Sequence, residues 1–433
     1  MSYTKIKVKE KKVSIMKIGY ACQTIGIPGT GFKSCTLKNA NKDTLTSIIS
    51  QNLSALDHII NYNIENQIKL FRITSDLIPF GSSAANQLKW WEIFGDELAC
   101  IGKKVVENGI RISMHPGQYT VLNSPDEQVV ERAVQDLEYH TTLLEAMDSS
   151  QENKLILHVG GAYGDKKLAM ERFVANYHKL NPAIRKHLVI ENDDKIYNIA
   201  EVMEISTQTG APVVFDVLHH QINPDPDNND IYDWLAKSNK TWKQADGNQK
   251  IHYSEQNPYK KPGSHSETIT LETFQNFLTG LNGMDSDIML EVKDKNLSAM
   301  KCLNLTAIRP TILRLEQEWS RYKYWILEKS HEDYNKIRQL LKDKNSYPVI
   351  EFYKLVDHAM LAEVTPGGVI NAADHVWGYF KNRADEKEKV RYSNLMKNYK
   401  TGSITHKKFL WQLTLKYQEP YLIQSHYFKE VCK

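Results

Sequence analysis

The chain's 433 residues exceed a usual single domain, and 41% hydrophobic and 25% charged residues with a net charge of +3 exclude a disordered or fibrous protein. No apolar run approaches the ~20 residues of a membrane span, and the Lys-rich residues 1–12 lack the apolar stretch and cleavage site of a signal peptide, so a cytoplasmic protein is expected. The five cysteines (Cys22, Cys35, Cys100, Cys302, Cys432) are scattered, odd in number and without CxxC spacing, which supports neither a disulfide framework nor a zinc knuckle.

Residues 1–15 read as a tail. From there to about residue 310, strand and helix signals alternate. The strands are predicted at residues 16–20, 68–73, 110–115, 155–159, 188–191, 213–217, 250–253 and 288–292. They are short, β-branched and apolar without polar alternation, as expected where both faces of a sheet are covered. Between them, apolar residues three and four apart predict helices, among them 45–60, 90–106, 129–147, 173–180 and 199–205. Eight such units predict an α/β fold, a (β/α)8 TIM barrel over residues 16–310, because parallel pairing needs a crossover each time. A doubly wound open sheet is the alternative, disfavoured by the absence of a Gly-rich nucleotide loop. The loops after the strands are the longer ones, notably 23–41, 79–87, 219–230 and 254–267. In a barrel those loops build the active face, and their length suits a large substrate.

After Pro310 the strand pattern stops. Residues 315–341, 349–361, 373–380, 387–399 and 407–417 read as helices rich in Trp and Tyr, giving a smaller all-α domain over 311–433. Its runs His375-Val376-Trp377-Gly378-Tyr379-Phe380 and Tyr417-Gln418-Glu419-Pro420-Tyr421-Leu422 resemble an uncharacterised helical domain. The charge divides along the same line, −3 over residues 1–310 and +6 over 311–433. A mildly acidic first part suits pocket carboxylates offset by bound cations. The basic second part could meet a polyanion, although a solvated surface is the ordinary explanation.

The chemistry lies at the strand ends. His115, His158, Glu191, Asp216, His219, His252 and Glu291 stand at or just past them, and His265 stands in the long seventh loop. Eight N/O ligands suffice for two or three divalent ions, with zinc, manganese or cobalt suited to a cysteine-free set and a carboxylate able to bridge two metals. Clustered metals suit in-line phosphoryl chemistry. Any one strand-end histidine is ordinarily a hydrogen-bonded core group. Glu191 and Glu291 are harder to explain that way, because a carboxylate entering a barrel mouth needs a cation or donors to offset its desolvation. His58, His140, His178 and His187 sit in helical or pre-strand contexts and are assigned to structure. His220 beside His219 is ambiguous, and the spacing Asp216-x-x-His219 favours His219.

Gly19-Tyr20, Phe71-Arg72-Ile73, His115-Pro116-Gly117-Gln118-Tyr119, His158-Val159-Gly160-Gly161, Glu191-Asn192-Asp193-Asp194, Asp216-x-x-His219-His220, Lys250-Ile251-His252-Tyr253-Ser254 and Glu291-Val292-Lys293-Asp294 together resemble the UV damage endonucleases of the UvdE/UvsE type, over residues 16–300. The resemblance implies a metal-dependent barrel, related in design to endonuclease IV, that nicks damaged double-stranded DNA. The cut falls immediately 5′ of pyrimidine dimers, (6-4) photoproducts and some other lesions, leaving a 3′-hydroxyl and a 5′-phosphate. It implies that His115, His158, Glu191, Asp216, His219, His252, His265 and Glu291 hold two or three ions, with Mn2+ first and Zn2+, Co2+ or Mg2+ as alternatives. Glu191 and Asp216 would bridge, and Glu191, Lys250, His252 and Glu291 would be catalytic. Lys250 matches a lysine that can be carboxylated; from the residues alone it could equally contact a phosphate. Gln118 and Tyr119 match residues that wedge into the duplex at the lesion, where weakened stacking lowers the cost of extrusion, and Tyr20 is a further candidate for substrate contact. A histidine that some relatives carry after the Pro-Phe of the second strand loop is absent from Pro79-Phe80-Gly81-Ser82-Ser83, which puts a charge-stabilising role of that loop in doubt. A monomer without a nucleotide cofactor or membrane contact is expected. The rival readings are a metal-dependent sugar isomerase or epimerase, with fewer metals and a closed pocket, and a non-catalytic damaged-DNA-binding protein.

Overall fold

The computed structural model describes residues 16–147 and 150–432; the expected tail, residues 1–15, lies outside them. Eight parallel strands close into a barrel in chain order: β1 (Ile18–Ala21), β2 (Leu70–Arg72), β3 (Arg111–Met114), β4 (Lys154–His158), β5 (Leu188–Glu191), β6 (Val213–Asp216), β7 (Gln249–Tyr253) and β8 (Ser286–Leu290). Closure is made by β1, whose Tyr20 stands opposite Phe71 of β2 on one side and Leu290 of β8 on the other. Around the barrel run α1 (Lys42–Glu65), α2 (Trp90–Ile93), α3 (Gly95–Glu107), α4 (Glu127–Ala146), α5 (Lys166–Lys179), α6 (Pro182–His187), α7 (Ile199–Thr209), α8 (Val217–Ile222), α9 (Ile231–Asn239), α10 (Leu271–Gly280) and α11 (Asn296–Leu305). A TIM barrel is thus the fold of the first part, and the open sheet is excluded.

Local chemistry sets the helix starts. The side chains of Asn41, Asp126, Asp165 and Asn198 each accept a backbone N–H in the first turns of α1, α4, α5 and α7, satisfying donors that the helix itself cannot. Part of the loop expected at 219–230 is instead helical: the Asp216 side chain accepts the N–H of His219 and starts α8 directly at the strand end.

Strand residues alternate between two environments. Tyr20, Phe71, Ile112, Leu157, Ile190, Phe215, Ile251 and Ile288 pack outward into the large cluster shared with the helices. Ala21, Leu70 and Met289, and separately Ile156, Val189 and Val214, form small clusters inside the barrel. The inward set also carries charge. At the amino-terminal end of the strands, Arg111 pairs with Asp287 at 2.9 Å and Lys154 with Asp246 at 2.6 Å, all buried. Arg111 donates as well to the carbonyls of Glu152, Asp246 and Asn248. This floor is a compensated ionic layer, which is how charge survives such burial.

The second part is helical: α12 (Ile312–Lys329), α13 (His331–Leu340), α14 (Val349–Leu361), α15 (Pro366–Trp377), α16 (Glu386–Lys397), α17 (Thr405–Lys416) and α18 (Pro420–Ile423). The single helix expected over 315–341 breaks at Ser330, which is extended and whose side chain accepts the N–H of Asp333 to start α13. Helix α12 has two buried faces. Leu315, Tyr322 and Ile326 join the barrel's apolar cluster with Phe352, Tyr353 and Val356 of α14, while Tyr324 and Leu327 pack with Val376, Phe380 and Leu410. The helical part therefore shares a continuous core with the barrel. No helix among the described residues is long and apolar enough to cross a membrane.

Candidate metal centre

The inward positions that end the strands converge at the carboxyl-terminal mouth. Strand register does this directly: His158 of β4 stands opposite Glu191 of β5, and Asp216 of β6 opposite His252 of β7. Glu191 is the hub. Its Oε2 lies 3.1 Å from His115 Nε2 and 3.5 Å from His158 Nε2, and its Oε1 lies 2.5 Å from His252 Nδ1. His252 Nδ1 is also 3.3 Å from Glu291 Oε1. The ring of His158 is 5.7 Å from that of His219, which is 6.5 Å from that of His265. All eight expected ligands thus line one basin.

The arrangement suits cations better than it suits itself. Ligand atoms of His115, His158 and Glu191, and those of Glu191, Asp216 and His252, lie within 4.8 Å of one another. Asp216 Oδ2, His252 Nε2 and His158 Nδ1 are buried without a hydrogen-bond partner, a costly state that a bound ion would relieve. Backbone carbonyls select the tautomers: Nδ1 of His115 faces Pro116 O at 3.0 Å, Nδ1 of His219 faces Asn192 O at 2.9 Å, and Nδ1 of His265 bonds Glu291 O. Each such bond turns Nε2 towards the basin, the usual outer support of a metal-ligating histidine. Electrostatics agree. Burial alone would raise the Glu191 carboxyl, but His252, His158 and His115 hold it well below the ordinary range. Burial, with Glu191 and Glu291 nearby, raises Asp216. His219, despite burial, is lifted to about 9 by Asp216 and Glu191. The residues present fit a cluster of divalent ions.

Two contributors escaped the sequence reading. Arg72 at the end of β2 pairs with Glu291 inside the mouth. Asn192, next to Glu191, clamps β6 by accepting the N–H of Asp216 at 2.9 Å and donating to its carbonyl at 3.1 Å. Both lie in quoted runs, and the usable signal for Arg72 was a charge closing an apolar strand. Tyr20 is a correction. It packs outward against α1, fully buried, with its hydroxyl bonded to Thr24 Oγ1 and Asn63 Oδ1, because the inward parity of β1 belongs to Ala21. His220 also points away, against Phe215 and towards Asn229 O. His140 and His187 are buried and bonded to the carbonyls of Asp136 and Asn153.

Gln118 and Tyr119 project from the turn after β3, with Tyr119 69% exposed beside the cluster. A Cβ on Gly117 would sit 2.4 Å from the Tyr119 ring, so only glycine admits that ring position. Asp136 ties the neighbouring loops together, accepting from Ser82 of the post-β2 loop at 2.7 Å and from Thr120 at 2.6 Å. Lys250 faces the barrel interior, fully buried, with Nζ lacking a partner.

The model of the UV-endonuclease family, UvdE, matches residues 12–317. The chain belongs to this family. A UV DNA damage endonuclease of Clostridium perfringens (strain 13 / Type A) is 38% identical over 423 residues, covering 96% of this chain and all of the relative. One of Bacillus cereus (strain G9842) is 33% identical, covering 68% of this chain and 96% of the relative. The crystal structure of SacUVDE superposes with a TM-score of 0.62 at 39% identity, over 66% of this chain and 96% of that one. A second model, of a protein family of unknown function (DUF1722), matches residues 323–431. As a UV-endonuclease family member, the protein is a DNA repair endonuclease built on a TIM barrel.

Proposed function

We propose that the enzyme nicks the damaged strand of duplex DNA immediately 5′ to pyrimidine dimers, (6-4) photoproducts and some other lesions, leaving a 3′-hydroxyl and a 5′-phosphate. The carrying observation is the convergence on Glu191 of histidines from β4, from β7 and from just past β3, beside buried, unpartnered ligand atoms. His115, His158, Glu191, Asp216, His219, His252, His265 and Glu291 would hold two or three divalent ions, Mn2+ first. When bound, the ions would activate a water and offset charge on the attacking and leaving oxygens of the phosphodiester.

The chain's own groups supply the rest. Arg72 would hold Glu291 in place, and Asn192 would fix the Asp216 strand end against His219. Burial, with Arg111 nearby, pushes the Lys250 amine well below its usual range. A neutral amine is the form that takes up carbon dioxide, which supports carboxylation of Lys250 to an oxygen donor. Gln118 and Tyr119 would enter the stack at the lesion, an amide and an aromatic replacing displaced bases. The enzyme would act as a cytoplasmic monomer without a nucleotide cofactor.

The test is a duplex carrying one pyrimidine dimer, incubated with protein and Mn2+ and mapped at the new ends. A single cut 5′ of the dimer, reduced on the order of 10²–10⁴-fold in Glu191→Gln, is expected. Intact duplex with every divalent metal tried would defeat the proposal.

A further inference from the structure

The two parts of the chain meet at a buried ammonium. Lys301, on α11, is 2% exposed, and its Nζ bonds Asp357 of α14 and Thr268 Oγ1, the latter at 2.6 Å. Asp357 and Tyr353 are one helical turn apart on α14, so they present to the same side. Tyr353 accepts from Asn304 of α11 at 2.8 Å, and its ring lies 5.9 Å from Lys301 Nζ. The helical region thus supplies a carboxylate partner to a cation that the barrel buries.

Thr268 stands three residues beyond His265, in a segment fastened at every step. Ser266 N donates to Glu255 O at 2.8 Å, and Ser266 O accepts from Lys293 N at 3.2 Å. Glu267 O accepts from Asp294 N at 3.0 Å. Ile269 N donates to Ser298 Oγ at 3.0 Å, and Thr268 between them is held by Lys301 at its hydroxyl, which also lies 3.3 Å from Ser298 Oγ, and by Ser266 Oγ at its carbonyl. At the head of this segment His265 Nδ1 bonds Glu291 O and turns Nε2 towards the basin. An unpaired buried ammonium is costly. Without Asp357, Lys301 loses its ion-pair partner and its hold on Thr268 weakens, which removes one of the fastenings behind His265.

We propose that Asp357 of the helical region is a positioning residue for the endonuclease centre, acting through Lys301 and Thr268 on His265. This rests on the metal reading above, with His265 as one of the ligands. It gives the domain of unknown function a role in the reaction: it steadies one ligand of the ion cluster from outside the barrel.

The experiment is a Mn2+ titration by calorimetry of the full-length protein, run beside dimer nicking as a function of substrate concentration. Asp357→Asn should weaken the last ion to bind by about 10-fold, the lower end of what loss of a ligand's direct outer support costs, since it acts on His265 at one remove. It should lower kcat at unchanged KM, and Asp357→Glu should restore both. Thr268→Val, which keeps the buried ion pair and removes only the hydroxyl, should reproduce the weakened ion and serves if Asp357→Asn does not fold. Unchanged Mn2+ isotherms in Asp357→Asn and Thr268→Val overturn the proposal. So does a fall in thermal stability with stoichiometry, affinity and kcat intact. Failure of the unmodified protein to bind Mn2+ at all would strike the metal reading itself, and is told apart by that control.

Discussion

At the residue scale, the centre depends on compensation. Glu191 and Glu291 are carboxylates in a place water scarcely reaches, and each persists because a donor set surrounds it. For Glu291 the donor is Arg72, whose side chain is only 13% exposed. Replacing Arg72 by Met leaves a buried carboxylate without its ion pair, a change that costs about 3–5 kcal/mol when one partner of such a pair is removed. Urea unfolding of ion-free Arg72→Met should show that loss, and added Mn2+ should recover part of it. An unchanged midpoint would mean that Glu291 is solvated. Arg72 was visible in the sequence as the end of an apolar run. Its partner was not, because 219 residues separate the two and nothing local links them.

At the element scale, the turn after β3 is a rigid mount. Pro116 and Gly117 set the bend, Thr120 is anchored on Asp136, and Tyr119 is left in the open. Stacking of an aromatic on a base is worth about 1–3 kcal/mol by alanine substitution. Tyr119→Ala should therefore weaken binding to lesion-bearing duplex by that amount while leaving Mn2+ binding intact. Gly117→Ala should do likewise, since its Cβ would displace the ring. Gel-shift titrations beside metal calorimetry would separate the two effects, and equal losses in both would contradict a dedicated wedge. The run His-Pro-Gly-Gln-Tyr was legible because it is contiguous, whereas the anchor of the turn on Asp136, sixteen residues on from Thr120, was not. The breaks in the helices were less legible. The stop at Ser330 turns on which of two bonding partners its hydroxyl and the neighbouring N–H groups adopt, a local competition that periodicity does not register.

At the scale of the whole molecule, the helical part is fused to the barrel through α12, whose opposite faces enter two cores. Near that seam lies an acid-sensitive pair of buried histidines. Burial, with Arg321 and Lys429 nearby, pushes His426 down to about 3, and burial, with Lys407 nearby, pushes His406 down to about 4. The unfolded chain takes up these protons near 6.5, so it binds more protons than the native state between there and pH 3–4. Stability is complete above that upper value and falls as pH drops through it, by about 2 kcal/mol per group at pH 5. Thermal melts at pH 7.5 and 5 should show the loss, and His426→Gln should reduce it. A pH-independent melting point would refute the buried neutral state.

Composition and the order of apolar runs were enough to specify a barrel, a helical second part and the eight residues that gather at the mouth. The reason is that each ligand closes a strand or lies in the segment after one, and parallel strands all end at the same mouth of the barrel. Which parity of each strand faces inward was decided only in three dimensions. A strand buried on both faces carries no polar alternation to mark its inner side, so Tyr20 and Ala21 are equivalent until the barrel closes. The pairing of Lys301 with Asp357 belongs to the same class: it exists because two helices dock, and no stretch of sequence contains it.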